Sequence, residues 1–201
     1  ALDRMAHMAD RADAARAMPE LLGLEGEAAS IYFAHFERML TPRAPAFQFA
    51  TRTRRPPTDA VNALLSMSYS LLTRTFLATL QAVGFDPYQG FYHQPRHGRP
   101  ALALDMMEPY RPIIADSTVL QVINNGEVQA DDIVRNGPAC ALRPGGRRAL
   151  IAAYERRLGQ ETTHPVFGYQ VSMRRLIEVQ MRLLARHLDG ELVVYPHYTP
   201  R

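Results

Sequence analysis

The segment Gly90-Phe91-Tyr92-His93-Gln94-Pro95-Arg96-His97-Gly98-Arg99-Pro100 runs straight into Ala101-Leu102-Ala103-Leu104-Asp105-Met106-Met107-Glu108. Together they hold the side chains of this chain best suited to chemistry. An imidazole sits on a loop rich in Gly and Pro, and two carboxylates three residues apart follow on a predicted helix. Residues at i and i+3 share a helical face, so Asp105 and Glu108 can converge on one point. A neutral imidazole nearby completes a mixed oxygen and nitrogen set suited to Mg²⁺ or Mn²⁺. Arg96, His97 and Arg99 add positive charge beside the acids. Such a cluster suits an anionic substrate held near a metal.

A further acid, Glu25, lies in Leu22-Gly23-Leu24-Glu25-Gly26-Glu27. Steps of three and four residues from it reach Ala28, Ala29 and Tyr32, so it shares the apolar face while Glu27 points towards solvent. A buried carboxylate is costly unless compensated, and Glu25 therefore needs a metal, an Arg or a proton. The flanking glycines weaken the helix but admit a ligand or another backbone. Blander explanations stand beside these: a Glu–Arg pair between helices, a loop histidine satisfied by backbone, and acids favoured by a helix N-terminus. Asp105 could cap its helix while Glu108 ligates. Arg52, Arg54 and Arg55 read as cations of a solvated loop.

The elements that must position these groups are mostly helical. Leu2 to Met18 reads as a helix that Pro19 ends or restarts, and Glu20 to Leu40 carries apolar residues at three- and four-residue spacing. Thr41 to Pro57, with four prolines and four arginines, reads as a long surface loop. Thr58-Asp59 signals the N-cap of a long helix from Ala60 to Val83, ended by Gly84. Helices follow from Leu102 to Tyr110, stopped by Pro112, and from Ile114 to Asn124. Asp131 to Leu142 accommodates a short hairpin. After Pro144-Gly145-Gly146, helices are predicted over Arg147 to Leu158 and Gln170 to Leu188, leaving a tail. The expected fold is all-α: one multi-helix domain spanning residues 1–201.

The composition of the 201 residues, 47% hydrophobic and 21% charged with a formal charge of +3, is that of an ordinary globular chain. Every fixed cation is Arg, and no Lys occurs. Lysine-nucleophile and Schiff-base mechanisms are thereby excluded, while Arg favours forked phosphate contacts. The lone Cys140 cannot form an internal disulfide. No apolar run is long enough to span a bilayer and the start lacks a signal peptide, so a soluble cytoplasmic protein is expected.

The order of motifs resembles a family. Gly23-Leu24-Glu25-Gly26, Asn62-Ala63-Leu64-Leu65-Ser66, Gly84-Phe85-Asp86-Pro87, the block from Gly90 to Glu108 and Arg111-Pro112 are similar to the CRISPR-associated integrase, the "Cas-one" nuclease of spacer acquisition. Gly146-Arg147-Arg148 and Ala153-Tyr154-Glu155-Arg156-Arg157 are compatible with its C-terminal helices. The resemblance implies metal ligands at Glu25, His93 and Glu108, with Asp105 as a supporting acid. It implies a Mg²⁺- or Mn²⁺-dependent DNA endonuclease and integrase that inserts short foreign DNA into a CRISPR repeat by transesterification, an antiviral defence. Phosphate contacts are then expected from Arg96, His97, Arg99, Arg52, Arg54 and Arg55. The implied partners are prespacer and repeat DNA, a small "Cas-two" protein and, in the full-length protein, a second copy; no membrane is involved.

Family members carry an N-terminal β-sheet domain, and no strand-rich segment precedes the first helix here. A cut chain, or the tail of a larger fusion, is therefore expected; the family also occurs joined to a RecB-like "Cas-four" nuclease or a reverse transcriptase. Two rival classes remain. A non-catalytic helical DNA-binding scaffold would not need the acids. A di-metal carboxylate oxidoreductase needs two Glu-x-x-His pairs, and the chain has only Glu161-Thr162-Thr163-His164.

Overall fold

A computed structural model describes residues 1–41, 47–94 and 96–199. Its organising element is α3 (Ala60–Val83), which has no internal Gly or Pro. The Asp59 side chain caps it by accepting from the Asn62 amide at 2.8 Å. Gly84, at φ 109°, ends it in the left-handed conformation that a side chain would resist. Leu64, Leu65, Leu72, Phe76 and Leu80 along its length are fully buried.

Two apolar clusters form around this helix. The first packs Leu72, Phe76 and Leu80 against Tyr110, Ile114, Leu158, Leu176 and Ile177. The second packs Val61, Leu64 and Leu65 against Phe36, Phe49, Val119, Val122 and Leu150. The helices enclosing them are α4 (Ala101–Met107), α5 (Ser117–Asn124), α6 (Pro144–Gly159) and α7 (Met173–Leu188). At the start of the chain α1 (Leu2–Ala14) packs on α2 (Met18–Phe36) through a small separate cluster of Met8, Leu24 and Ile31. No helix among the described residues is long and apolar enough to cross a membrane.

The fold is predominantly helical, and two short antiparallel hairpins depart from an all-α reading. β1 (Ile133–Asn136) pairs with β2 (Ala139–Leu142), where a hairpin was anticipated. β3 (Glu161–Thr163) pairs with β4 (Gln170–Ser172), so α7 begins three residues later than its periodicity suggests. Ser172 then caps α7 by accepting from the Arg175 amide at 3.3 Å.

Two boundaries differ for identifiable reasons. Pro112 does not stop the helical path. α4 tightens into a 3₁₀ turn (Glu108–Tyr110), widens into a π-turn (Arg111–Asp116) and continues as α5. Pro112 stands in the first turn of the widened stretch, where a missing amide proton is tolerated. Pro144 likewise begins α6 instead of punctuating before it, and Gly146 is buried in its first turn. A Cβ on Gly146 would stand 2.8 Å from the Asp132 Cβ, so Gly serves packing there.

The predicted surface loop from Thr41 to Pro57 is more deeply engaged than its composition suggests. Residues 42–46 lie outside the described residues, but Phe47 and Phe49 are buried in the second cluster. Fully buried Asn62 ties the rest of the loop down. Its amide nitrogen donates to the Thr51 carbonyl at 2.8 Å, and its oxygen accepts from the Thr53 amide at 2.9 Å and from Arg52 at 2.7 Å.

Phe76 joins the central helix to the first cluster and packs against Tyr110, the last residue of the 3₁₀ turn, with ring centroids 5.2 Å apart and planes tilted by 55°. Phe76→Ala should lower unfolding free energy by about 3–5 kcal/mol, read by chemical denaturation. A loss under about 1 kcal/mol would show that the cluster closes over the gap.

Candidate metal and nucleic-acid site

The site is built by one carboxylate. Asp105, on α4, accepts from three successive backbone amides of the preceding loop: Phe91 at 2.6 Å, Tyr92 at 2.9 Å and His93 at 2.9 Å. Its Oδ1 also meets His93 Nδ1 at 2.6 Å. The loop backbone passes so close to α4 that a Cβ on Gly90 would lie 2.7 Å from the Ala101 Cβ and 2.8 Å from Asp105 Oδ2. Only Gly fits there. With the proton on Nδ1 facing a carboxylate, the His93 Nε2 lone pair is free to ligate or accept a proton.

Glu25 lies on α2 and Glu108 opens the 3₁₀ turn, and both line one cavity of about 480 Å³ beside Tyr92 and Asp105. A neighbouring cavity of about 400 Å³ is lined by the same two acids together with Arg54, Tyr69, Arg111 and Asp116. The Tyr92 hydroxyl donates to Glu25 Oε2. Arg111 Nη1 reaches both Glu108 oxygens at 2.8 Å. Burial, the bond to Glu25 and the charges of Glu25, Glu108 and Asp105 all push the Tyr92 phenol's pKa up. All three carboxylates are therefore within electrostatic reach of that hydroxyl. Burial draws the Arg111 guanidinium's pKa down, but Glu108, Tyr69 and Asp116 together more than reverse it.

The predicted residues are thus only partly gathered. Glu25 and Glu108 face each other across shared cavities; His93 meets those walls through its chain neighbour Tyr92 and its partner Asp105. Among the described residues no three His, Cys, Asp or Glu side chains stand close enough to hold an ion. Two like charges facing one space need donors, and Tyr92 and Arg111 supply them. By donor type, two carboxylates and an imidazole suit a hard divalent cation.

Other expectations change more. Glu25 is exposed rather than buried on the apolar face, and a Cβ at Gly23 or Gly26 would meet nothing within 4 Å. Those glycines leave open space beside the acid instead of admitting a backbone. Arg52 is not a solvated loop cation: it turns inward onto Asn62 and onto Ser66 Oγ at 3.1 Å. Arg54 and Arg55 are exposed, as are Arg96 and His97, while Arg99 is half-buried. Arg99 donates its amide to the Arg96 carbonyl at 2.9 Å across a turn whose Gly98 has φ 69°. Pro95 lies outside the described residues.

Tyr92 and Arg111, the partners of the two acids, are not among the site residues expected from sequence. The three-residue step from Glu108 to Arg111 was a readable signal; nothing in sequence linked Tyr92 to Glu25. Buried His164 is ordinary structure, its Nδ1 accepting from the Val166 and Phe167 amides at 3.2 and 3.3 Å.

The sequence matches the family described as CRISPR associated protein Cas1 over residues 1–156. The chain belongs to the Cas1 family. A curated Cas1 relative, the "CRISPR-associated exonuclease Cas4/endonuclease Cas1 fusion" of Rhodospirillum rubrum, is 59% identical over all of this chain. The chain spans 35% of that relative's length. Among solved structures, a "Casposase bound to integration product" superposes with a TM-score of 0.82 at 27% identity, covering 92% of this chain and 52% of that one. The Cas1-containing "Cas6-RT-Cas1--Cas2 complex" superposes with a TM-score of 0.81 at 28% identity, over 94% of this chain and 20% of that one.

Gly90→Ala should displace the His93 loop from Asp105 at a cost of about 1–3 kcal/mol. Hydrogen exchange at the amides of residues 91–93 should accelerate more than exchange in α3. Unchanged protection there would mean that the carboxylate does not hold the loop.

Proposed function

We propose that this chain is the catalytic part of a Mg²⁺- or Mn²⁺-dependent DNA integrase that inserts short foreign DNA into a CRISPR array by transesterification. The observation that carries this reading is the pair Glu25 and Glu108. These acids come from distant parts of a Cas1-family chain and face one cavity, which Tyr92 and Asp105, the chain neighbour and the hydrogen-bond partner of His93, also line. In the reaction a DNA 3′-hydroxyl attacks a repeat phosphorus. A new phosphorus–oxygen bond forms, the old one breaks, and the departing 3′-oxygen takes up a proton. The number of phosphodiesters is conserved, and neither oxidant nor covalent protein intermediate is needed.

Glu25, Glu108 and His93 Nε2 would hold the cation, and Asp105 fixes the imidazole through Nδ1. A bound Mg²⁺ or Mn²⁺ would polarise a phosphoryl oxygen and stabilise the leaving oxygen. Arg54, Arg55, Arg96, His97 and Arg99 contribute phosphate contacts that place the strand without reading its bases. Among the described residues no ion pair occupies Arg54, Arg55, Arg96 or Arg99. The likeness to a casposase with its product and to a complex containing Cas2 supports DNA and a Cas2-type protein as partners; a second copy in the whole protein and a cytoplasmic setting are part of the same proposal.

The test combines Mn²⁺ titration with cleavage of branched DNA. Glu108→Ala and His93→Ala should abolish metal-dependent nicking, and Asp105→Ala should reduce it by about 10–100-fold. Mn²⁺ affinity untouched by Glu25→Ala and Glu108→Ala would sink the site. DNA binding without any metal-dependent cleavage would favour a scaffold role instead.

For the strand contacts, Arg99→Ala should reduce the slope of log affinity against log salt by about 0.9 on duplex DNA. A changed sequence preference at constant slope would contradict the phosphate role.

A further inference from the structure

Asp116 carries a carboxylate into the protein interior, where it is 2% exposed. Two phenols from different helices donate to it: Tyr69 of α3 at 2.5 Å and Tyr32 of α2 at 3.0 Å. Burial pushes the acid's pKa up, and the two phenols and the charges of Arg111 and Arg52 pull against that. The Tyr69 ring in turn receives two guanidinium groups, Arg111 at 4.5 Å and Arg52 at 5.4 Å from its centroid. Tyr32, Tyr69, Arg111 and Asp116 all line the cavity that Glu25 and Glu108 also face.

The π-turn is what makes this possible. Arg111 and Asp116 are five residues apart, which in an α-helix separates them by about 140° around the axis. The wider i→i+5 turn brings both to the same cavity. Arg111 uses only Nη1 on Glu108; among the described residues its Nε and Nη2 make no hydrogen bond. It therefore has donors to spare within a site whose acids surround the reacting position.

We propose that Arg111 is a phosphate-binding residue with two positions, closed on Glu108 before DNA arrives and turned to a non-bridging phosphate oxygen once it is bound. Asp116, Tyr69 and Tyr32 are positioning residues that keep its guanidinium against the Tyr69 ring. The inference rests on the proposed function, in which Glu25 and Glu108 hold the cation at the reacting phosphate. Turning Arg111 over a fixed ring keeps the cation partnered in both positions and gives Glu108 up to a metal in the second. Asp116 stays behind as the fixed anchor.

The experiment uses labelled branched duplex DNA across a salt series, steady-state nicking, and Mn²⁺ titration of the DNA-free protein. Arg111→Gln should reduce the salt slope by about 0.9 and raise KM. It should also tighten Mn²⁺ binding by about 2–5-fold, the weight of a half-exposed ion pair withdrawn from Glu108. Tyr69→Phe, which keeps the ring and removes only the hydroxyl, should raise KM with less effect on kcat, and Arg111→Lys should restore the slope but not the full affinity. Asp116→Asn should follow Tyr69→Phe; if it does not fold, Tyr69→Phe carries the test alone. The proposal fails if Arg111→Gln leaves salt slope and Mn²⁺ affinity unchanged, or if Tyr69→Phe lowers kcat with KM intact. Absence of Mn²⁺ binding in the unaltered protein would overturn the integrase reading instead, and the salt slope would still report on Arg111.

Discussion

The Asp105 carboxylate is the constraint from which the site is built. Hydrogen bonds to a charged group contribute roughly 1.5–3 kcal/mol each, and this largely buried acid accepts from three consecutive amides and an imidazole. That is enough to hold the segment Phe91 to His93 beside the helix. The loop's close approach depends in turn on the missing side chain at Gly90. Anything displacing Asp105 would release His93 and Tyr92 together, and with Tyr92 the hydroxyl that engages Glu25.

A second constraint is the change of helical period after α4. In a uniform α-helix from Ala101 to Asn124, Arg111 and Asp116 would stand about 140° apart around the axis. The tight 3₁₀ turn and the wide π-turn instead turn Glu108, Arg111 and Asp116 towards the cavities beside α2. Local departures of this kind lose some hydrogen-bond quality. They persist because Tyr110 and Ile114, on either side of Pro112, are locked into the first apolar cluster.

The two acids facing each other are anchored very differently. Glu108 follows directly from α4, packed against the central helix. Glu25 is exposed on α2, close to where α2 meets α1 through a small separate cluster of Met8, Leu24 and Ile31. Fewer buried contacts imply lower local stability, so the Glu25 side is the more adjustable wall of the site. An adjustable acid opposite a fixed one would suit the proposed function, in which the Tyr92 and Arg111 pairings open to a metal and DNA.

Much was legible in the sequence because periodicity and capping act locally. The span of α3, its Asp59 cap and Gly84 terminus, the β1–β2 hairpin and the loop–helix order around His93 and Asp105 could all be read from neighbouring residues. The motif order also pointed to the Cas1 family. What sequence alone could not decide depended on contacts between distant segments. Pro112 continues a helix because its neighbours are clamped in the core, Arg52 turns inward because Asn62 and Ser66 await it, and Phe47 and Phe49 leave a polar loop for the second cluster. Glu25 pairs with Tyr92, and Asp116 with Tyr32 and Tyr69, across dozens of residues. Spacing rules describe which side chains share a face; only packing determines which faces meet.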